Sequence, residues 1–275
     1  MTTPPFASLD AVLTIAGSRR PTRPVTPSWT RGRPALAALA VLGTLLAACT
    51  GSAPVAETDP VVSGIPFVDG ERYVYRLIDR DGVDVGAGTF TTGRDDDAWV
   101  LTQTYANDRG VVVDESIVVV DAETLQPRTT ERVITQGDEV EVVVATYEDD
   151  ADGARTVRAT HVDGDDERRR TIETGEHDYE DQSSLWLWRT LALGEGLDAR
   201  YTTVDPREGG RVTANVMQVD RQTLETPIGS FDTWVLQIRT GRETVNVWVH
   251  VEAPHQVVRF DNGRLFFELE SAELP

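Results

Sequence analysis

The chain has 275 residues, of which 26 are basic and 46 acidic, giving a formal charge of −20 at pH 7. Every basic residue is an arginine. A balance this acidic argues against nucleic-acid binding and against adhesion to anionic lipid headgroups. The single cysteine excludes an intrachain disulfide, so the fold must rest on its core alone.

Residues 1–30 carry five prolines and no clear periodicity, which fits sequence upstream of a true start and removes them from fold reasoning. Arg31 and Arg33 then precede an apolar run from Ala35 to Ala48. Fourteen residues are too few for a membrane-spanning helix, which takes about 20. A positive segment, an apolar core and small residues before a cut site make residues 1–48 a secretory signal. Leu46-Ala47-Ala48-Cys49 resembles the lipobox of bacterial lipoproteins, in which the cysteine thiol is acylated before cleavage in front of it. Cys49 is therefore the expected lipidation site, and a diacylated cysteine supplies the two chains that stable anchoring needs. Cleavage removes five arginines and one aspartate, leaving 21 basic and 45 acidic residues and a net charge of −24.

Residues 49–64 are small and polar with two prolines, the composition of a flexible tether. A single β-rich domain is expected over 65–275. Arg72–Ile78 alternates, with Tyr73, Tyr75 and Leu77 on one face, and ends at the turn Asp79-Arg80-Asp81-Gly82. Further strands are predicted at 83–92, 99–105, 111–120, 128–135, 139–147, 156–162 and 168–174. After one helix come 199–204, 211–220, 233–241, 244–251, 256–261 and 265–271. Strands at this spacing, separated by Gly, Asp, Asn and Pro, belong to an antiparallel sandwich or barrel. Turn signals such as Asp261-Asn262-Gly263 favour pairing between sequence neighbours, hence a meander.

The one helix is predicted over about 182–193, with capping residues before it and Gly194 after it. Its apolar side chains run nearly all the way round, so it belongs inside the structure. The fold class is mainly β: a curved antiparallel meander sheet or incomplete barrel, with this α-helix central or covering. Arg189 is the only charge between Asp181 and Glu195. Inside a core it needs a fixed carboxylate or carbonyl partner from the sheet, the reading that the sequence favours. The functional alternative sets Arg189 at a cavity mouth beside Trp186 and Trp188, clamping a ligand carboxylate or phosphate.

Several stretches are similar to the bacterial envelope family catalogued as domain of unknown function 3108. Glu71 to Arg76 followed by Val83 to Thr89 resembles that family's first hairpin, and Ser184 to Gly194 its helix, except that Trp188 stands directly before Arg189. Thr226-Pro227-Ile228-Gly229-Ser230-Phe231 resembles its Thr-Pro-x-Gly-x-Phe loop, and Trp248 to Ser271 its last strands. The resemblance implies an extracytoplasmic β-rich domain and brings no activity or catalytic residues.

Catalytic patterns are poor: there is no nucleophile elbow, zinc-protease helix, phosphate loop or Cys/His metal pattern. Asp149 to Gly153 and Asp163 to Glu167 lack the alternation of a calcium loop and read as solvated turns. The acids of His177 to Asp181 read as helix caps rather than metal ligands. No catalytic residue, metal or cofactor is expected. The leading expectation is a non-enzymatic, membrane-anchored module on the extracytoplasmic face of the cell membrane, binding an apolar or acyl ligand. An envelope-assembly protein that engages a protein partner, and a hydrolase of envelope glycans or lipids, are the alternatives.

Overall fold

The computed structural model describes residues 57–149, 155–241 and 243–275. The expected signal region and Cys49 lie outside them. Eight strands come first: β1 (Arg72–Ile78), β2 (Asp84–Asp95), β3 (Ala98–Asn107), β4 (Val112–Asp121), β5 (Pro127–Gln136), β6 (Glu139–Asp149), β7 (Arg155–Asp163) and β8 (Asp166–Thr174). A short strand β9 (Asp178–Glu180), a 3₁₀ turn (Asp181–Ser183) and helix α1 (Ser184–Arg189) follow. Six more strands complete the chain: β10 (Asp198–Asp205), β11 (Gly210–Thr226), β12 (Gly229–Thr240), β13 (Glu243–His250), β14 (Val257–Asp261) and β15 (Phe266–Glu273).

All fifteen strands form one sheet in the order β8 to β1, then β15 down to β9. From β1 to β8 and from β10 to β15 sequence neighbours pair antiparallel, as the alternating patterns and short turns predict, and β1 closes the meander onto β15, from Arg72 opposite Glu273 to Ile78 opposite Phe266. The result is a nearly closed, incomplete barrel whose two free ends, β8 and β9, are consecutive in sequence. At that seam the chain turns inward and lays α1 inside the sheet. Burial follows the period-2 pattern: Tyr73, Tyr75 and Leu77 of β1 are buried while their neighbours are half-exposed.

The rings of Trp186, Phe90, Tyr75 and Tyr105 meet edge-on or tilted around the helix, with Phe90 5.5 Å from Trp186 and 5.2 Å from Tyr75. Trp188 meets Phe260, which stacks on Phe267 at 3.7 Å. Near the seam β10 is buried on both faces. Tyr201 joins this main core, whereas Val204 packs with Ala145, Val157, Ala159 and Ile172 of β6 to β8 in a second, smaller one.

Three expectations need correcting. The helix spans Ser184–Arg189, not 182–193, because Thr190 caps it: the Thr190 hydroxyl donates to the Leu187 carbonyl, and the Thr190 carbonyl accepts from Ser63 instead of a further helical turn. The acids at 178–180 belong to β9, which runs parallel to β10 from Asp178 opposite Thr202 to Glu180 opposite Val204; only Glu180 also caps the turn that follows. The described part of the expected tether, residues 57–64, is docked rather than free. This strap crosses one mouth of the barrel, called here the strap end, from the seam to the start of β1. The Ser63 N–H and hydroxyl both donate to Thr190 O at 2.8 Å, and Val61 N–H donates to the Tyr179 hydroxyl at 3.2 Å. Val61, Val62 and Ile65 pack against the main core.

Deleting residues 57–63 is therefore expected to destabilise the domain. Two half-buried valines and the hydrogen bonds to Thr190 are together worth about 2 kcal/mol or more. Urea unfolding measures this, and an unchanged midpoint would return the segment to the status of a linker.

Candidate functional site

Three assemblies stand out from the residues upward: a buried ion pair on the helix, a buried acid cluster at the seam, and an open groove under the strap. At the first, Arg189 ends α1 and meets Glu71, the residue just before β1. The guanidinium holds the carboxylate in a fork, at 2.6 Å from Nη1 and 3.0 Å from Nη2, and both side chains are fully buried. Nε and Nη2 also donate to the carbonyl of Pro254, and the group lies over the rings of Phe67 and Tyr73 at 4.9 and 5.2 Å. Glu71 accepts further from the hydroxyls of Tyr73 and Thr92 and from Val68 N–H. Burial raises the Tyr73 hydroxyl pKa well above the ordinary tyrosine value, so it stays a donor.

Arg189 thus has both a carboxylate and a carbonyl partner from the surrounding chain. Trp186 and Trp188 flank it, each about 1% exposed, donating to Thr92 Oγ1 and to the Tyr201 hydroxyl respectively. A side chain this buried faces no water-sized void, so the three candidate ligand-binding residues sit in packed interior.

At the second, Arg132 of β5 forks onto Asp114 of β4 at 3.1 and 2.6 Å, which satisfies that cation. Asp181, Asp205 and Glu180 lie close by, all nearly or fully buried. Burial, helped by the Asp205 carboxylate, pushes the Asp181 carboxyl up to about 7. Burial likewise raises Asp205, and lifts Glu180 far above the carboxylate range with Asp181 and Asp205 adding to it. Asp181 accepts from Thr203, and Asp205 from the N–H groups of Arg207 and Glu208. Among the described residues no group of three or more His, Cys, Asp and Glu is placed to hold a metal ion. His177 stands apart from these acids, at the rim of the groove, and Asp178 pairs with Arg211.

The groove lies between the strap and the chain from Leu191 to Arg200, with a volume of about 730 Å³. Val61, Val62, Leu191 and Leu197 give it an apolar floor that is continuous with the core. Its rim is polar and mainly acidic, with Glu57, Asp59, Glu176 and Asp198 beside His177 and Arg200. Sequence reasoning missed the groove, Glu71 and the acid cluster. The signal for the first was the run Val61-Val62 and Ile65-Pro66-Phe67, too apolar for a linker.

A family model for a protein of unknown function, DUF3108, matches residues 72–269, which is β1 to β15 including α1. The chain belongs to that family. A β-barrel-like protein of domain of unknown function DUF1849 from Brucella abortus superposes on this DUF3108 chain with a TM-score of 0.53. The match has 12% identity and spans 76% of this chain and 98% of that one. It is a likeness of fold. A Parabacteroides distasonis protein, provisionally assigned as a lipoprotein, aligns with a TM-score of 0.32 at 11% identity, over 78% of this chain and 100% of that one. No curated protein matches the DUF3108 chain.

Two measurements probe these assemblies. Arg189→Met should cost roughly 3–5 kcal/mol, since it strands Glu71 as a buried unpaired charge, and adding Glu71→Gln should recover part of that loss. A single variant as stable as wild type would show that the pair is not buried. Asp181 has a raised folded-state pKa, so its contribution to stability is full below about pH 4 and is lost as pH rises through 7. Asp181→Asn should therefore match wild type at pH 4 and exceed it by roughly 1–3 kcal/mol at pH 8. Urea unfolding at the two values checks this; a gap that is constant with pH would contradict it.

Proposed function

We propose that this protein is a non-enzymatic, lipid-anchored binding module on the extracytoplasmic face of the cell membrane. It takes an apolar or acyl ligand in the groove under the strap. The observation that carries this reading is the groove itself. It is an open cleft of a size that suits a small ligand, with an apolar floor and a polar rim. The groove's position suits the anchored form, because Glu57 of its lining is only eight residues from Cys49 in the sequence. The packing around Trp186 and Trp188 favours the groove over the barrel axis as the place for a guest. A mainly acidic rim suits a ligand with an uncharged polar head and an apolar tail.

Ala192 lines the groove and is exposed, so Ala192→Trp can fill the cleft without touching the core. With a fluorescent polyene monoacylglycerol as probe, this variant should bind about tenfold more weakly than wild type, roughly 1.4 kcal/mol, at an unchanged melting temperature. Val83→Trp at the opposite mouth should bind like wild type. Equal binding by all three proteins would exclude the groove, and no binding by wild type would remove the acyl-ligand reading.

A further inference from the structure

β11 and β12 are among the longest strands of the sheet, and they outrun their neighbours. β10 begins at Asp198 opposite Met217, and β13 ends at His250 opposite Thr233. β11 and β12 nevertheless stay paired to Thr226 opposite Gly229. Residues Val219–Phe231 thus form a two-stranded ribbon with no strand on either side. At about 3.3 Å per residue, Val219 to Thr226 carries its tip roughly 25 Å beyond the first residue of β10.

No residue of this ribbon is buried. Val219 is 50% exposed and Ile228, at the tip beside the exposed Pro227, is 41% exposed. The tip from Thr226 to Ser230 carries no charge, in a chain whose mature part has a net charge of −24. An isolated ribbon of this kind is marginal in water. Here its base is held by the Arg221–Asp232 ion pair, with Arg221 lying over the Trp234 ring at 5.0 Å. The fold therefore fixes where the ribbon starts and leaves an uncharged, apolar tip standing free.

The ribbon projects from the strap end. Gln218 N–H donates to the carbonyl of Leu197, a residue of the groove floor, and the strap occupies the same mouth. Seven residues lie between Cys49 and Glu57, and the eight steps of a fully extended chain reach at most about 28 Å. The farthest that a bilayer holding the acyl chains of Cys49 can lie from Glu57 is thus comparable to the length of the ribbon.

We infer that the β11–β12 ribbon is a second membrane contact, its Pro227-Ile228 tip seated in the interfacial region of a lipid bilayer while the groove faces the same surface. The inference rests on the lipid-anchored reading of Cys49. An uncharged tip suits a zwitterionic surface, and contact by one or two apolar side chains is strong enough only because the anchor already holds the protein there.

The test uses the lipidated full chain, whose only native cysteine is blocked by lipid. Ile228→Cys and, at the opposite mouth, Val83→Cys each carry an environment-sensitive nitrobenzoxadiazole label. Both proteins are reconstituted on phosphatidylcholine vesicles and recovered by flotation. The label at 228 should shift to the blue and brighten roughly threefold, as in an interfacial site, while the label at 83 keeps its aqueous spectrum. Flotation with an aqueous spectrum at 228 overturns the ribbon contact and leaves the anchor standing. Equal shifts at both sites overturn the orientation. Failure to float removes the anchor and the inference together.

Discussion

The Glu71–Arg189 pair is the interaction on which the rest of the structure depends. It joins the chain entering β1 to the end of the internal helix, and through the Pro254 carbonyl it also holds the loop between β13 and β14. A guanidinium in a core is tolerable only when its donors are used, and here a carboxylate, a carbonyl and two ring faces use them. Because Glu71 also accepts from Thr92, and Thr92 Oγ1 accepts from Trp186, the pair sets the depth at which the helix sits. The strap is fixed from the same place, since Thr190, the residue after Arg189, receives Ser63.

A second constraint comes from the seam. An incomplete barrel must do something with its free ends, and this one turns the chain inward between them. The short β9 is buried in all three residues, and β10 is buried on both faces from Tyr201 to Asp205. The other free strand, β8, carries Asp166-Glu167-Arg168-Arg169-Arg170, charges of the kind that keep a sheet edge from pairing with another chain. The acids left inside at the seam outnumber Arg132, which is already committed to Asp114. Stability there is tied to pH through the buried carboxyls of Asp181 and Glu180.

The strands were legible because alternation is a local signal, and fourteen of the fifteen, all but β9, are readable from hydrophobic period and turn residues alone. The family could be read from the same stretches. The helix was legible as apolar on all sides, but not its length, since its end is decided by Ser63, more than a hundred residues away. Arg189 announced that a partner must exist. It could not announce Glu71, because one acid before a strand among 46 carries no mark of burial. The strap was misread for a related reason: its valines and prolines resemble a linker until the barrel mouth that they cover is known. β9 has only three residues and a parallel partner, too little for any periodicity to show.

The barrel axis is a packed core, and the proposed place for a ligand is the mouth beneath the strap. A high-resolution crystal structure of protein recovered from envelopes without lipid exchange tests that claim most directly. The predicted result is an interior filled by Trp186, Trp188, Phe90 and Phe260, with any co-purified acyl density lying between the strap and Leu191 to Arg200. An acyl chain threaded among those rings inside the barrel would contradict it.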